Sequence, residues 1–199
     1  IRVAILTGSN NTFCSGMDLK AFVSGEVPYI KDRGFGGLTE APPAKPLIAA
    51  VEGYALAGGC ELAMVCDLIV AAETAKFGVP EVKRGLAAGA GGLLRFPRQL
   101  PYRVAMELAL TGDFMDAARA KDLGFINQTV PEGEAFAAAQ GLAVKIAGNG
   151  PLAVKLSKQV VRDSEDWSTG EMFGRQQDIL QPVFTSEDAI EGAMAFAEK

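Results

Sequence analysis

Two carboxylates and three groups of glycines mark where this chain could do chemistry. The stretch GYALAGGCELAMVCD, Gly53 to Asp67, begins as a glycine-containing turn and ends as an apolar helix, with Glu61 where the two meet. A glycine pair at a helix start, Gly58-Gly59, lets the backbone come close to a ligand and leaves N–H groups without intrahelical acceptors, at the positive end of the helix dipole. Such amides can stabilise a developing oxyanion. Glu61 lies in the same first turn, where it either reaches whatever those amides hold or complements the dipole as a solvated surface residue. Glu81, after Pro80, reads on its own as a solvated loop carboxylate. Beyond it lies a glycine-rich loop, Gly89 to Gly92. The chain has no histidine. That removes Ser-His-Asp and Cys-His catalysis and most zinc chemistry, leaves acid–base work to carboxylates, lysine or tyrosine, and gives no reason to expect a metal site.

The elements that must position these groups alternate. Val3–Leu6 is a short β-branched run closed by Thr7-Gly8-Ser9-Asn10, and FCSGMDLKAF starts as a loop and turns helical. The segment from Ser24 to Pro46, rich in Gly, Pro and scattered charge, is expected to be a mobile connection. Pro46–Val51 predicts a buried strand, Leu62–Cys66 continues the helix after the glycine pair, and Asp67–Ala72 predicts a third strand. Another short strand is expected near Phe77. Strand, turn, short helix, strand is the order of a parallel sheet. From Tyr102 the pattern is mostly helical, with one strand-like run over Phe125–Val130. Phe136, Ala139, Ala143 and Ile146 share a helical stripe, Pro151 can open the next helix, and Thr185-Ser-Glu-Asp188 reads as a capping box.

Composition narrows the function classes. With 199 residues, 49% hydrophobic and 22% charged, the chain can bury one substantial core. A net charge of −5 argues against a nucleic-acid partner, since phosphate recognition calls for a basic face. The most apolar run, LAMVCDLIVAA, is cut by Asp67 and is too short for a membrane span. Cys14, Cys60 and Cys66 form no CxxC pair and suit buried thiols in a reducing compartment, so a cytoplasmic protein is expected. The chain opens with IRVAILTG, a strand already under way with neither initiator Met nor signal peptide, which is the pattern expected of an N-terminal truncation.

Taken in order, AILTGSNNTFCSGMDLK, KPLIAAVEGYALAGGCELAMVCDLIVAAETAKFGVPEV, GLAAGAGGLLR, LTGDFMDAARAKDLGFINQTV and the terminal EGAMAFAEK resemble the crotonase, or enoyl-CoA hydratase/isomerase, superfamily. The resemblance implies an α/β fold: a spiral core of ββα units over 1–130, and a C-terminal helical region over 131–199 that packs on neighbouring subunits of a homotrimer or hexamer. It implies acyl-CoA thioester substrates, with coenzyme A as part of the substrate and no separate cofactor. The thioester oxygen would be held by the backbone N–H groups at Met17 and Gly58, which fits the stabilisation of an enolate-like transition state. Family members that hydrate a double bond carry glutamates at the positions of Glu61 and Glu81. Two carboxylates around one water can activate it and supply a proton at C2. Facing each other, they should repel, with one titrating higher than a free glutamate. Gly89 matches a loop glycine whose N–H orients that water. Asp18, Leu19 and Lys20 match a segment that contacts the nucleotide, while Phe196 and Lys199 match residues that reach the CoA of an adjacent subunit. Met17, Ala88 and Leu93-Leu94 depart from residues common in short-chain hydratases and bear on acyl-group preference. Hydration is thus the leading expectation, with isomerase, dehydratase and non-catalytic oligomer as alternatives.

Overall fold

The computed structural model describes residues 1–198. The chain forms two compact units, one built from Ile5–Pro43 and Leu47–Leu142, the other from Ile1–Ala4, Ala44–Pro46 and the chain from Ala143 onward.

In the first unit, β1 (Ala4–Thr7, its first residue counted with the second unit) is followed by a short helix, α1 (Leu19–Val23), and a small antiparallel hairpin, β2 (Tyr29–Ile30) with β3 (Gly34–Phe35). Two ββα-type turns follow. The first comprises β4 (Leu47–Val51), β5 (Tyr54–Leu56) and α2 (Gly58–Val65). The second comprises β6 (Leu68–Ala72), β7 (Lys76–Gly78) and a 3₁₀ turn over Pro80–Arg84 that leads through the glycine loop into α3 (Gly92–Gln99). Then come α4 (Tyr102–Thr111), β8 (Met115–Asp116), α5 (Ala117–Asp122), β9 (Gln128–Val130) and α6 (Ala135–Ala147), whose last turn, from Ala143, is counted with the second unit.

Besides the β2–β3 hairpin, two sheets result, in the strand orders β1-β4-β6-β9 and β5-β7-β8. In the first, β4 pairs parallel with β6, and β6 with β9, so β4 has neighbours on both sides and is buried along its whole length. That is why its sequence, LIAAV, is continuously apolar instead of alternating. Ile48, Val51, Val70, Phe77, Phe96 and Ile126 form the core, with the Phe125 ring edge-on to Phe77 at a centroid distance of 5.5 Å. Side chains brace the sheet: Leu47 N–H donates to Asp67 Oδ2 at 2.7 Å and Ile69 N–H to Asn127 Oδ1 at 2.7 Å.

Four expectations need correction. The segment from Ser24 to Pro46 is not structureless, because the β2–β3 hairpin turns through left-handed Asp32 and Gly34 and its base is packed by the buried Thr39. The strand within Phe125–Val130 is confined to Gln128–Val130, since Phe125 and Ile126 insert into the core below it. On α6 the fully buried line runs through Ala135 and Ala139 while Phe136 stays largely exposed. Glu52 sets that rotation by accepting from Gly133 N–H at 3.1 Å and Ala135 N–H at 2.9 Å. The last helix, α9, is capped one residue later than expected, by Ser186, whose Oγ accepts from Ala189 N–H.

The second unit contains α7 (Pro151–Asp163), α8 (Met172–Phe184) and α9 (Glu187–Ala197), with α7 packed on α8 and α8 on α9. Among the described residues no helix is long and apolar enough to cross a membrane.

Candidate active site

The site lies where parallel strands end. Tyr54, Ala55 and Leu56 of β5 stand beside Lys76, Phe77 and Gly78 of β7 in parallel register, and Cys14 bridges to Ala55 in the same direction on the other side. Three chain segments therefore leave this sheet at one end. They carry Gly16-Met17, Ala57 to Glu61, and Pro80-Glu81. Glu61 and Glu81, twenty residues apart in sequence, meet because their strands are neighbours. Together with Met17, Gly58 and Gly89 they line one cavity of about 590 Å³, whose wall is largely apolar and includes Phe22, Tyr29, Phe35 and Phe114.

The main chain between β5 and α2 is held in an unusual shape. Ala57 has φ 52° and ψ −129°, a region that L-residues rarely adopt, while its N–H is bonded to Gly78 O. Gly16, at φ +94°, lies so close that a Cβ there would stand 2.8 Å from the Ala57 methyl and 3.1 Å from Gly58 N. Glycine is also required at 58 and 59, where a Cβ would strike the Phe35 ring and Cys14 O respectively. Among the described residues neither Met17 N–H nor Gly58 N–H has an acceptor within the protein. Two free donors of adjacent segments thus open on the cavity.

Glu61 is not a solvated helix-start residue: it is 2% exposed. Its Oε1 accepts from Ala90 N–H and Gly92 N–H, each at 2.8 Å. Gly92 permits that approach, since a Cβ there would lie 3.0 Å from both Cγ and Oε1 of Glu61. Burial pushes the Glu61 carboxyl up from the usual glutamate range. The Gly92 amide opposes this, the Glu81 charge adds to it, and the Ala90 amide and Arg95 oppose it again.

Glu81 is also pushed up, chiefly by burial, with its own backbone amide as the only opposing influence. Its Oε2 is buried with no hydrogen-bond partner. Mutual repulsion was the expected cause of raised titration; desolvation is the larger cause for both groups. Cys60, beside Glu61, is fully buried, and burial pushes its thiol up to about 12, so it is neutral at ordinary pH.

The remaining sequence-derived candidates separate. Leu19 lines the cavity, whereas the Asp18 carboxylate caps α1 by accepting from Lys20 N–H and Ala21 N–H. Lys20 is exposed. Phe196 lies on α9 in the second unit and is 82% exposed. Lys199 lies outside the described residues. Sequence reasoning missed Ala90 and Gly92 as the donors to Glu61, and Arg95 behind them. The glycine run before a helix was the available signal, because unpaired helix-start amides next to a carboxylate make a natural bond.

Comparison with known proteins gives matches over the whole chain. The family described as Enoyl-CoA hydratase/isomerase matches over residues 1–199. Enoyl-CoA hydratase EchA19 of Mycobacterium tuberculosis is 44% identical over 207 residues, covering 100% of this chain and 77% of the relative. The carnitinyl-CoA dehydratase of Proteus mirabilis is 41% identical, covering 100% of this chain and 79% of its own. Among solved structures, an enoyl-CoA hydratase from Mycobacterium tuberculosis H37Rv superposes with a TM-score of 0.97 at 60% identity, covering 100% of this chain and 78% of the other. A carnitinyl-CoA hydratase from Mycobacterium avium does so with a TM-score of 0.79 at 45% identity, covering 99% and 78%.

Proposed function

The chain belongs to the enoyl-CoA hydratase/isomerase family and has the crotonase fold, and from that premise we propose that it adds water across the C2=C3 bond of a 2-enoyl-CoA thioester. The observation that carries this reading is the pair of the buried Glu61 and the half-buried Glu81, unequally supported, in one apolar cavity beside two free main-chain donors.

In the proposed reaction Met17 N–H and Gly58 N–H hold the thioester oxygen, drawing electron density from C3 and stabilising the enolate as it forms. The set of donors around each carboxylate separates their roles. Glu61 accepts two amide N–H bonds, which favour its charged form, whereas Glu81 Oε2 has no partner and favours the proton. Glu61 is therefore the base and Glu81 the acid. Water, oriented at the Gly89 loop, attacks C3 as its proton passes to Glu61, and Glu81 delivers a proton to C2. The product is a 3-hydroxyacyl-CoA, and proton exchange restores the pair. The same groups run the dehydration by microscopic reversibility, which is the direction named for several relatives.

Coenzyme A is carried in as part of the substrate, with Asp18, Leu19 and Lys20 beside its path. A cationic acyl group such as carnitinyl is disfavoured, because Arg84 lines the cavity and has no ion-pair partner among the described residues. The decisive assay follows loss of the conjugated thioester absorbance with crotonyl-CoA, a longer enoyl-CoA and crotonobetainyl-CoA. Wild type should consume the two neutral substrates in preference to the cationic one, and Glu81→Ala should lose about 10²–10⁴-fold in kcat. Unchanged turnover in that variant sinks the two-glutamate mechanism, and no turnover on any of the three sinks the hydratase reading.

A further inference from the structure

Arg95 takes no part in the mechanism above, yet its contacts converge on Glu61. The side chain is half-buried, and a long charged side chain is seldom withdrawn from water unless its donors are satisfied. Nη2 donates to Thr39 O at 2.6 Å and Nη1 to Ala90 O at 3.3 Å. The guanidinium also lies against Gly91, where a Cβ would collide with Nη1. One side chain thus ties the turn after β3 to the glycine loop. That turn is itself fixed, since the buried Thr39 accepts from Phe35 N–H at 2.8 Å through Oγ1, and the Phe35 ring covers Gly58. The loop it grips is the one whose Ala90 and Gly92 amides hold Glu61 Oε1.

We propose that Arg95 is a positioning residue for the hydration: it clasps the glycine loop to the Thr39 turn so that the Ala90 and Gly92 amides hold Glu61 in place. The proposal rests on the two-glutamate reading. No carboxylate lies within ion-pair distance of the guanidinium among the described residues, so its charge acts on Glu61 through space. The groups facing Glu61 are Cys60 on its own helix, Glu81 from the 3₁₀ turn and Arg95 from α3. Cys60 is neutral and Glu81 opposes ionisation, which leaves Arg95 as the side chain that favours it. Arg98, the other charge acting on Arg95, disfavours the guanidinium charge.

The test uses the full chain as wild type, Arg95→Met and Arg95→Lys. Glu61 is titrated by its carboxyl ¹³C shift, assigned by the signal lost in Glu61→Gln, so that this readout needs no substrate. Arg95→Met should raise the Glu61 midpoint measurably and lower kcat on crotonyl-CoA at least tenfold, with KM changed less than threefold. Arg95→Lys should return the midpoint towards wild type while kcat stays reduced, because an ammonium cannot serve Thr39 O and Ala90 O as a planar fork does. A Met variant with wild-type melting temperature, an unmoved midpoint and kcat within twofold overturns the proposal. Should Met prevent folding, Arg95→Gln is judged by the same two criteria. Failure of wild type to turn over any enoyl-CoA overturns the functional reading, while the titration still judges the link between Arg95 and Glu61.

Discussion

At the scale of single residues, the site holds two carboxylates in a place that favours their neutral forms, which sets activity against stability. Glu81 shows this best, having a buried oxygen with no partner. Its folded-state titration is raised above the unfolded value by burial, so folding favours the protonated form. The contribution to stability is fully present below the free glutamate range, near pH 4.3, and is lost as pH rises through the raised folded value. Glu81→Gln should therefore melt at a higher temperature than wild type at pH 7–8, with the gap closing below about pH 4. Thermal unfolding across that range checks it, and an unchanged gap at all pH values contradicts the assignment. Loss of activity with gain of stability is the general behaviour of such sites.

At the scale of elements, the tight seam between the Gly16 segment and the start of α2 carries the two proposed oxyanion donors. Gly16→Ala places a methyl 2.8 Å from the Ala57 side chain at a φ of +94°. One segment must retreat, carrying Met17 N–H with it. The expected outcome is a loss of about 10²–10³-fold in kcat, the usual cost of one such donor, with destabilisation of about 1–3 kcal/mol; kinetics and chemical denaturation measure the two. This scale also marks what the sequence could reveal. The continuous apolar runs of β4 and β6 and the glycine pair opening α2 were legible because local pattern decides them. Glu61 and Glu81 emerged through the ordered motifs that carry the family resemblance. The loop donors to Glu61 and the Arg95 clasp were not legible, because they join residues 29, 31 and 56 positions apart through tertiary contact. The hairpin within Ser24–Pro46 was missed because its two-residue strands are too short to show a period.

At the scale of the whole molecule, the second unit leaves large apolar side chains in water. Phe173, Phe184 and Phe196 on α8 and α9 are 72%, 75% and 82% exposed, apolar surface whose removal from water is favourable. We propose that these C-terminal helices mediate self-association, as a trimer or a hexamer. Light scattering coupled to size exclusion should give three or six times the 20.9 kDa chain mass. Phe184→Glu with Phe196→Glu should shift the distribution towards monomer, and a monomeric wild type contradicts the assignment.

The thioester's proposed anchors are amides of the main chain, and this divides the burden of inheritance unevenly. Every codon at position 17 except proline's encodes a residue with the required N–H, so that position is free to change the acyl groups admitted without surrendering the reaction. Gly16, Gly58 and Gly59 have no such latitude, because any side chain there meets a neighbour. Variation in substrate range and invariance of chemistry are thus assigned to adjacent letters of the same gene.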